Sequence, residues 1–279
     1  MKKISAGIIY MIIAAFFFSL MAICVKALKG SISSQQMVFA RSVFLFAAGA
    51  AMVKFQGLTL WGRNKKLLFL RGFFGFLGLS AFFHTLSSIP IADSVVIQYT
   101  SPLFTALLAP YILKERSTSR QWLVYLMAFS GLLLIVKPGF SLHAWPALIG
   151  LAGAACTGVA YNLVRKLGQT ENPYHIILYL PAVSLPLSLP ATVSRFALPQ
   201  GMEWLLLLFI GLFTFIAQIF LTRSLKVERA ARATNTSYIT IVFSGIFGYL
   251  IWGEKPDIFS ASGTLLILLA IYLMARQRQ

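Results

Sequence analysis

The sequence predicts an all-α integral membrane protein of ten transmembrane helices, arranged as two inverted five-helix repeats around a central cavity. Three observations carry this. The chain is 58% hydrophobic and only 11% charged, whereas a soluble domain needs about 25% charged residues to cover its surface. Its basic residues alternate from loop to loop. Its second half repeats the pattern of its first at an offset of 139 residues.

A helix needs roughly 20 apolar residues to cross a bilayer, so spans free of Asp, Glu, Lys and Arg mark the crossings. The first runs over 5–25, after Met1-Lys2-Lys3. Its opening resembles a signal peptide, but no A-x-A site follows, so an uncleaved first helix is expected. The second span, 34–53, is interrupted only by Arg41. Spans three to five follow at 72–92, 94–113 and 121–136, and spans six to ten at 138–164, 172–194, 204–222, 233–253 and 258–275. Short connections join them and leave no room for a soluble domain.

With the N-terminus in the cytoplasm, the inner segments hold Lys2, Lys3, Lys54, Arg63, Lys65, Lys66, Arg71, Lys114, Arg116, Arg120, Arg165, Lys166, Arg223, Lys226, Arg229, Arg232, Arg276 and Arg278. That is 18 of the 24 basic residues, the asymmetry of the positive-inside rule. The net charge of +17 is therefore a topology signal directed at anionic lipids, not at nucleic acid. The expected location is the inner (cytoplasmic) membrane, crossed many times, with both termini cytoplasmic. Cys24 and Cys156 lie in spans one and six without a motif and read as small buried residues. No metal site and no cofactor is expected.

At the 139-residue offset Leu86 meets Leu225, Ala92 meets Ala231, Tyr99 meets Tyr238, Phe104 meets Phe243 and Glu115 meets Glu254. The same offset lays Ala15 on Ala154, Lys26 on Arg165 and Leu28 on Leu167. One offset that aligns five spans with five spans is a duplication. The expected units are residues 1–137 and 138–279. Because each holds an odd number of helices, the second inserts upside down, an arrangement that secondary transporters use to alternate access.

The segments LSSIPIADSVVIQYTSPLFTALLAPYILKER and SYITIVFSGIFGYLIWGEK resemble the drug/metabolite transporter superfamily in its ten-helix form with two EamA domains. MAICVKAL, QMVFARS and IPIADSVVIQYTSPLF resemble more narrowly the subset associated with S-adenosylmethionine uptake. The resemblance implies that spans one to four and six to nine surround a cavity, with spans five and ten packed outside. The chain departs from the family at His84, where a small residue is usual, and at Ile241, where span four has Pro102.

Polar groups inside a membrane are costly and face a cavity or one another. In span four, Gln98, Tyr99, Thr100, Ser101 and Pro102 form a polar knot, in which the proline frees the carbonyl of Gln98. Cavity lining and a purely structural kink are both open there. The knot's counterpart in span nine contains Asn235, Thr236, Ser237, Tyr238 and Thr240. Arg41 either snorkels outward or receives a substrate carboxylate. His84 is a hydrogen-bonded histidine or a proton carrier. Tyr161, Tyr238 and Trp252 join Tyr99 as aromatic candidates, whose rings could hold a cation. The expected substrate-binding set is Arg41, His84, Gln98, Tyr99, Ser101, Tyr161, Asn235, Tyr238 and Trp252. Asp93 caps a helix, and Glu115 and Glu254 anchor loops. Gly150, Ala154 and Gly158 make small-xxx-small steps on span six. Three prolines, Pro181, Pro186 and Pro190, mark span seven as the expected moving gate.

No catalytic constellation such as H-E-x-x-H or G-x-S-x-G is present, which argues against an enzyme. The expected function is a monomeric secondary transporter of a small organic metabolite, an amino acid or a derivative such as S-adenosylmethionine, working by facilitated diffusion or exchange. The alternatives are a proton-coupled efflux pump for drugs or organic cations, which the absence of a mid-span carboxylate disfavours, and a membrane enzyme.

Overall fold

In the computed structural model, the described residues are 5–28, 30–89, 91–138, 144–194, 196–253 and 257–276. They are helical or irregular throughout, with no strand among them. The first five spans are built from six helices: α1 (Ala6–Ala27), α2 (Ser34–Phe55), α3 (Lys65–Ser88), α4 (Ile91–Gln98), α5 (Ser101–Ile112) and α6 (Ser119–Val136). The last five spans repeat the plan: α7 (Ala144–Leu167), α8 (Pro173–Val193), α9 (Met202–Val227), α10 (Ala230–Thr236), α11 (Ile239–Trp252) and α12 (Ile258–Arg276). Spans four and nine are thus each made of two helices. Among the described residues nine segments are long and apolar enough to cross a membrane. The ninth span, divided between α10 and α11 and carrying the polar run Asn235-Thr236-Ser237, is not among the nine.

Local chemistry sets these boundaries. Ser33 accepts from the Gln36 backbone N–H to start α2, and Asn64 accepts from Leu67 to start α3. Thr118 and Gln121 form a reciprocal capping box before α6. Asn172 caps α8, with Pro173 in the first helical position. Gly253 ends α11 with φ of 69°, a left-handed conformation that glycine adopts without strain.

The helices pack as the duplication requires. The most extensive contacts join α1 to α9 and α3 to α7, and these two pairs exchange when the halves are exchanged. α2 packs on α8, and α6 on α12, so spans two and seven, and five and ten, each meet their own repeat partner. α6 and α12 touch through backbone, since a Cβ on Gly131 would lie 2.7 Å from the Gly263 carbonyl. Their outer faces expose Leu123, Leu126, Leu265, Leu268 and Tyr272, as lipid-facing helices do. The small-residue steps on span six are used in the same way. A Cβ on Gly158 would meet Phe104 at 2.9 Å and the Thr105 backbone at 3.0 Å, so α5 and α7 approach closely.

One sequence expectation is corrected here. Span three begins at Lys65, not at residue 72, so Arg71 lies inside the helix and not in the basic loop. Its side chain is only 3% exposed, and the charge-free criterion had cut the span short at this residue. Span seven runs unbroken through Pro181, Pro186 and Pro190, while the breaks fall in spans four and nine.

Candidate functional site

The breaks in spans four and nine meet at the centre. α4 ends at Gln98 and α5 begins at Ser101, with Pro102 in its first turn. Proline cannot donate to the preceding turn, so the helix reopens there. Span nine breaks at Ser237 and Tyr238 without a proline, because Ile241 occupies the matching position. Side chains back-bond to the helix just before this break. Asn235 Nδ2 donates to the Ala231 carbonyl at 2.8 Å, Thr236 to Arg232 at 2.9 Å and Ser237 to Thr234 at 2.6 Å. Such back-bonding competes with the helix ladder.

Tyr99 and Tyr238, 139 residues apart, lie against each other there, their rings 5.9 Å apart at 31°. The Tyr238 hydroxyl donates to the Tyr99 carbonyl at 2.9 Å. Two equivalent residues can touch only where the repeats' approximate twofold axis passes, so this pair marks the axis. Tyr238 is fully buried and packs with Phe129 and the cluster around Tyr125 and Leu132. The Tyr99 phenol meets Thr240 and lies within electrostatic reach of Tyr161 on α7. Asn235 Nδ2 also reaches the Pro102 carbonyl at 3.5 Å, tying the two breaks together. Ser101 is buried and gives its carbonyl to Thr105 at 2.8 Å, while Gln98 is half-buried.

From Tyr161 a polar seam continues into α3. Arg71 extends along its own helix until its Nη1 lies over Gly75, where a Cβ would come within 2.8 Å. Its Nη2 donates to Gln218 Oε1 of α9 at 3.5 Å, and Tyr161 and Arg41 are within electrostatic reach. Arg41, on α2, is half-buried, and its Nε, like that of Arg71, is shielded from solvent with no hydrogen-bond partner. The seam therefore joins spans two, three, four, six, eight and nine.

The structure thus brings together Arg41, Tyr99, Tyr161, Asn235 and Tyr238, with Gln98 and Ser101 beside the break. It does not bring His84 or Trp252 to them. Both are exposed near the face opposite the basic loops, where Lys26 Nζ stands 4.2 Å from the Trp252 ring centre. Glu254 lies outside the described residues. Sequence reasoning missed Arg71 and Gln218 as members of the seam. The spacing Arg71–Gly75 was the available signal, a long cation four residues before the one residue without a side chain.

The basic face is closed by a separate network. Glu115, after α5, accepts from Arg165 Nε of α7 at 2.9 Å and from the Ala230 backbone N–H at 3.0 Å. Arg165 Nη1 also donates to the carbonyls of Leu225 and Lys226, at 3.2 Å and 2.6 Å. A cleft of about 450 Å³ bottoms out on this latch, lined by Leu113, Lys114, Glu115, Arg165, Lys166 and Gln169. Beside it Glu228, fully buried, pairs with Arg232, which also donates to the Met274 carbonyl. A further pin holds the loop before α3, where Glu171 accepts from the backbone of Arg63 and Asn64 at 3.2 Å and 2.5 Å. Among the described residues no group of His, Cys, Asp and Glu could hold a metal ion.

Comparison with known proteins places this geometry. The model of the EamA-like transporter family matches residues 5–137 and 144–276. The chain is 31% identical to the pseudopaline exporter CntI of Pseudomonas aeruginosa, covering 99% of this chain and 98% of that one. It is 25% identical to the S-adenosylmethionine uptake transporter of Rickettsia prowazekii, over 96% of this chain and 92% of the relative. It is 27% identical to the riboflavin transporter of Rhizobium johnstonii, over 97% and 91%. One solved crystal structure superposes with a TM-score of 0.86 over 98% of this chain and 99% of that one, at 19% identity, which shows the fold.

Proposed function

The chain belongs to the EamA-like transporter family, and from that premise we propose that it carries an amino acid or amino-acid derivative across the inner membrane by alternating access. That it is a multi-pass membrane transporter of a small molecule, and not an enzyme, follows from the family and from the named transporters it resembles. The contact of Tyr99 with Tyr238 carries the mechanistic reading. Two inverted halves that meet on an axis through broken helices can rock about it, so that one site faces each side in turn. The latch of Glu115 and Arg165 then closes the basic face, which is cytoplasmic in this reading by the bias of its loops. Both termini lie on that side. The repeats divide at residues 137 and 138, and a single chain encloses the path.

The substrate-binding set is Arg41, Gln98, Tyr99, Ser101, Tyr161, Asn235 and Tyr238, to which Arg71 and Gln218 are added. His84 and Trp252 belong instead to the opposite entrance. Among the described residues no carboxylate joins the seam, which favours facilitated diffusion or exchange over a proton-coupled pump for organic cations. Counterflow in proteoliposomes tests the reading. Vesicles loaded with an unlabelled compound are offered its labelled form outside, without an ion gradient, for S-adenosylmethionine, the amino acids and simple dicarboxylates in turn. Transient protein-dependent accumulation of one of them is expected. Equilibration no faster than in protein-free vesicles for every compound contradicts it.

A further inference from the structure

Arg41 and Arg71 are two cations in one membrane-embedded seam, and they repel each other. Among the described residues no carboxylate pairs with either. Glu115 is taken by Arg165, Glu228 by Arg232, Asp257 by Lys137, and Glu171 by backbone donors and His175, while Glu203 accepts from the Gln200 N–H and Asp93 lies in the first turn of α4. Both Nε atoms are out of solvent and unpartnered, and the contact of Arg71 with Gln218, at 3.5 Å, is long. An arginine at the edge of a membrane ordinarily snorkels to the nearer face. Arg71 does the reverse, since it lies about 9 Å above the start of α3 and reaches onward over Gly75.

The scaffold does not demand these charges. At the 139-residue offset Arg41 falls on Leu180 and Arg71 on Ile210, both buried. The second half thus packs apolar residues at the positions where the first half holds its cations. Uncompensated cations of this kind are costly inside a membrane and mark a function.

We propose that Arg41 and Arg71 form the anion-receiving part of the central site, and that its substrate carries at least two carboxylates, as a dicarboxylic amino-acid derivative does. This deepens the transporter reading and rests on it. One carboxylate satisfies one guanidinium fork in bidentate fashion and leaves the second cation unpaired. Two carboxylates neutralise both, with the Tyr161 hydroxyl and the Gln218 amide at hand as further hydrogen-bond donors. A sulfonium compound with one carboxylate brings a third positive charge to the seam and fits it less well.

The test is thermal melting of the purified full-length protein, titrated with glutamate, glutarate, butyrate and S-adenosylmethionine. Glutamate or glutarate is expected to raise the melting temperature saturably, and butyrate to bind about tenfold more weakly or worse. R41Q and R71Q should each weaken dicarboxylate binding by roughly tenfold or more. Their ligand-free melting temperatures should equal or exceed that of the unaltered protein, because an unpaired buried charge is gone. R71K, which keeps the charge without the fork, should bind with intermediate strength. The proposal is overturned if neither dicarboxylate stabilises the protein, if both variants keep full dicarboxylate binding, or if S-adenosylmethionine stabilises more than either. It is also overturned if R71Q and R71K both lose stability without ligand, since Arg71 would then hold the fold. Dicarboxylate binding without counterflow would instead refute the transport reading and leave the anion site standing.

Discussion

Replacing Glu115 by glutamine perturbs the latch with almost no change of shape. The native carboxylate sits 2.9 Å from Arg165 Nε and 3.0 Å from the Ala230 N–H, with side chains about one-fifth exposed. Glutamine still accepts from Ala230 but loses the charge-assisted bond to Arg165. Such bonds contribute about 1.5–3 kcal/mol net, and partial exposure places this one near 1.5. That corresponds to about tenfold in the equilibrium between closed and open basic faces. Arg165→Ala also removes the bonds to the Leu225 and Lys226 carbonyls, so a shift of about a hundredfold is expected. The double variant should behave like Arg165→Ala alone, because the two side chains act through one contact. A cysteine at Ala233, fully buried one turn past the Ala230 N–H that Glu115 holds, reports the opening once Cys24 and Cys156 are replaced by alanine. Its labelling by a membrane-impermeant maleimide, offered to the basic face, should accelerate in the order stated. Rates that stay within about twofold of the parent in both single variants refute the latch.

Other expectations are narrower. Tyr238→Phe strips the donor from the part-buried Tyr99 carbonyl, at a cost of about 1 kcal/mol. A lower melting temperature should report it, and an unchanged one would show that the carbonyl finds water. Lys137 and a turn N–H hold the carboxyl of Asp257, exposed before α12, down at about 2. A depressed acid contributes stability above its ordinary pKa of 3.8 and loses it as the pH falls through the folded value. The melting-temperature difference between the parent and Asp257→Asn should therefore stay constant from about pH 7 to 5 and close only below about pH 4. A difference that closes near neutrality would assign it to another group.

Much of this architecture was legible because hydropathy and duplication are long-range signals, averaged over many residues. The 139-residue offset makes the pairing of α3 with α7 equivalent to that of α1 with α9, but which helices meet is seen only in the structure. The contact of Tyr99 with Tyr238 could be anticipated as a repeat pair, though not as the axis itself. The site was legible only in part, because a charge near a span's end reads as a loop until its direction is known. Arg71 was assigned to a loop for that reason, and only its course over Gly75 places it within the seam. His84 and Trp252 lie apart from the seam, for the opposite reason. Their residue types suit a cavity, but their positions near the ends of α3 and α11 carry them to an entrance. Span nine breaks without the proline that signals the break in span four, beside the back-bonded side chains of Asn235, Thr236 and Ser237.

The central claim is that the two faces open in turn, and paired distances between spin labels test it most directly. One pair joins Arg116 to Gln169 across the latch, and the other joins Ala27 to Ile251 beside Lys26 and Trp252, all at exposed positions. Glu115→Gln should lengthen the first distance and shorten the second within the same population of molecules. Distances that lengthen together, or that do not respond on either face, would contradict alternating access.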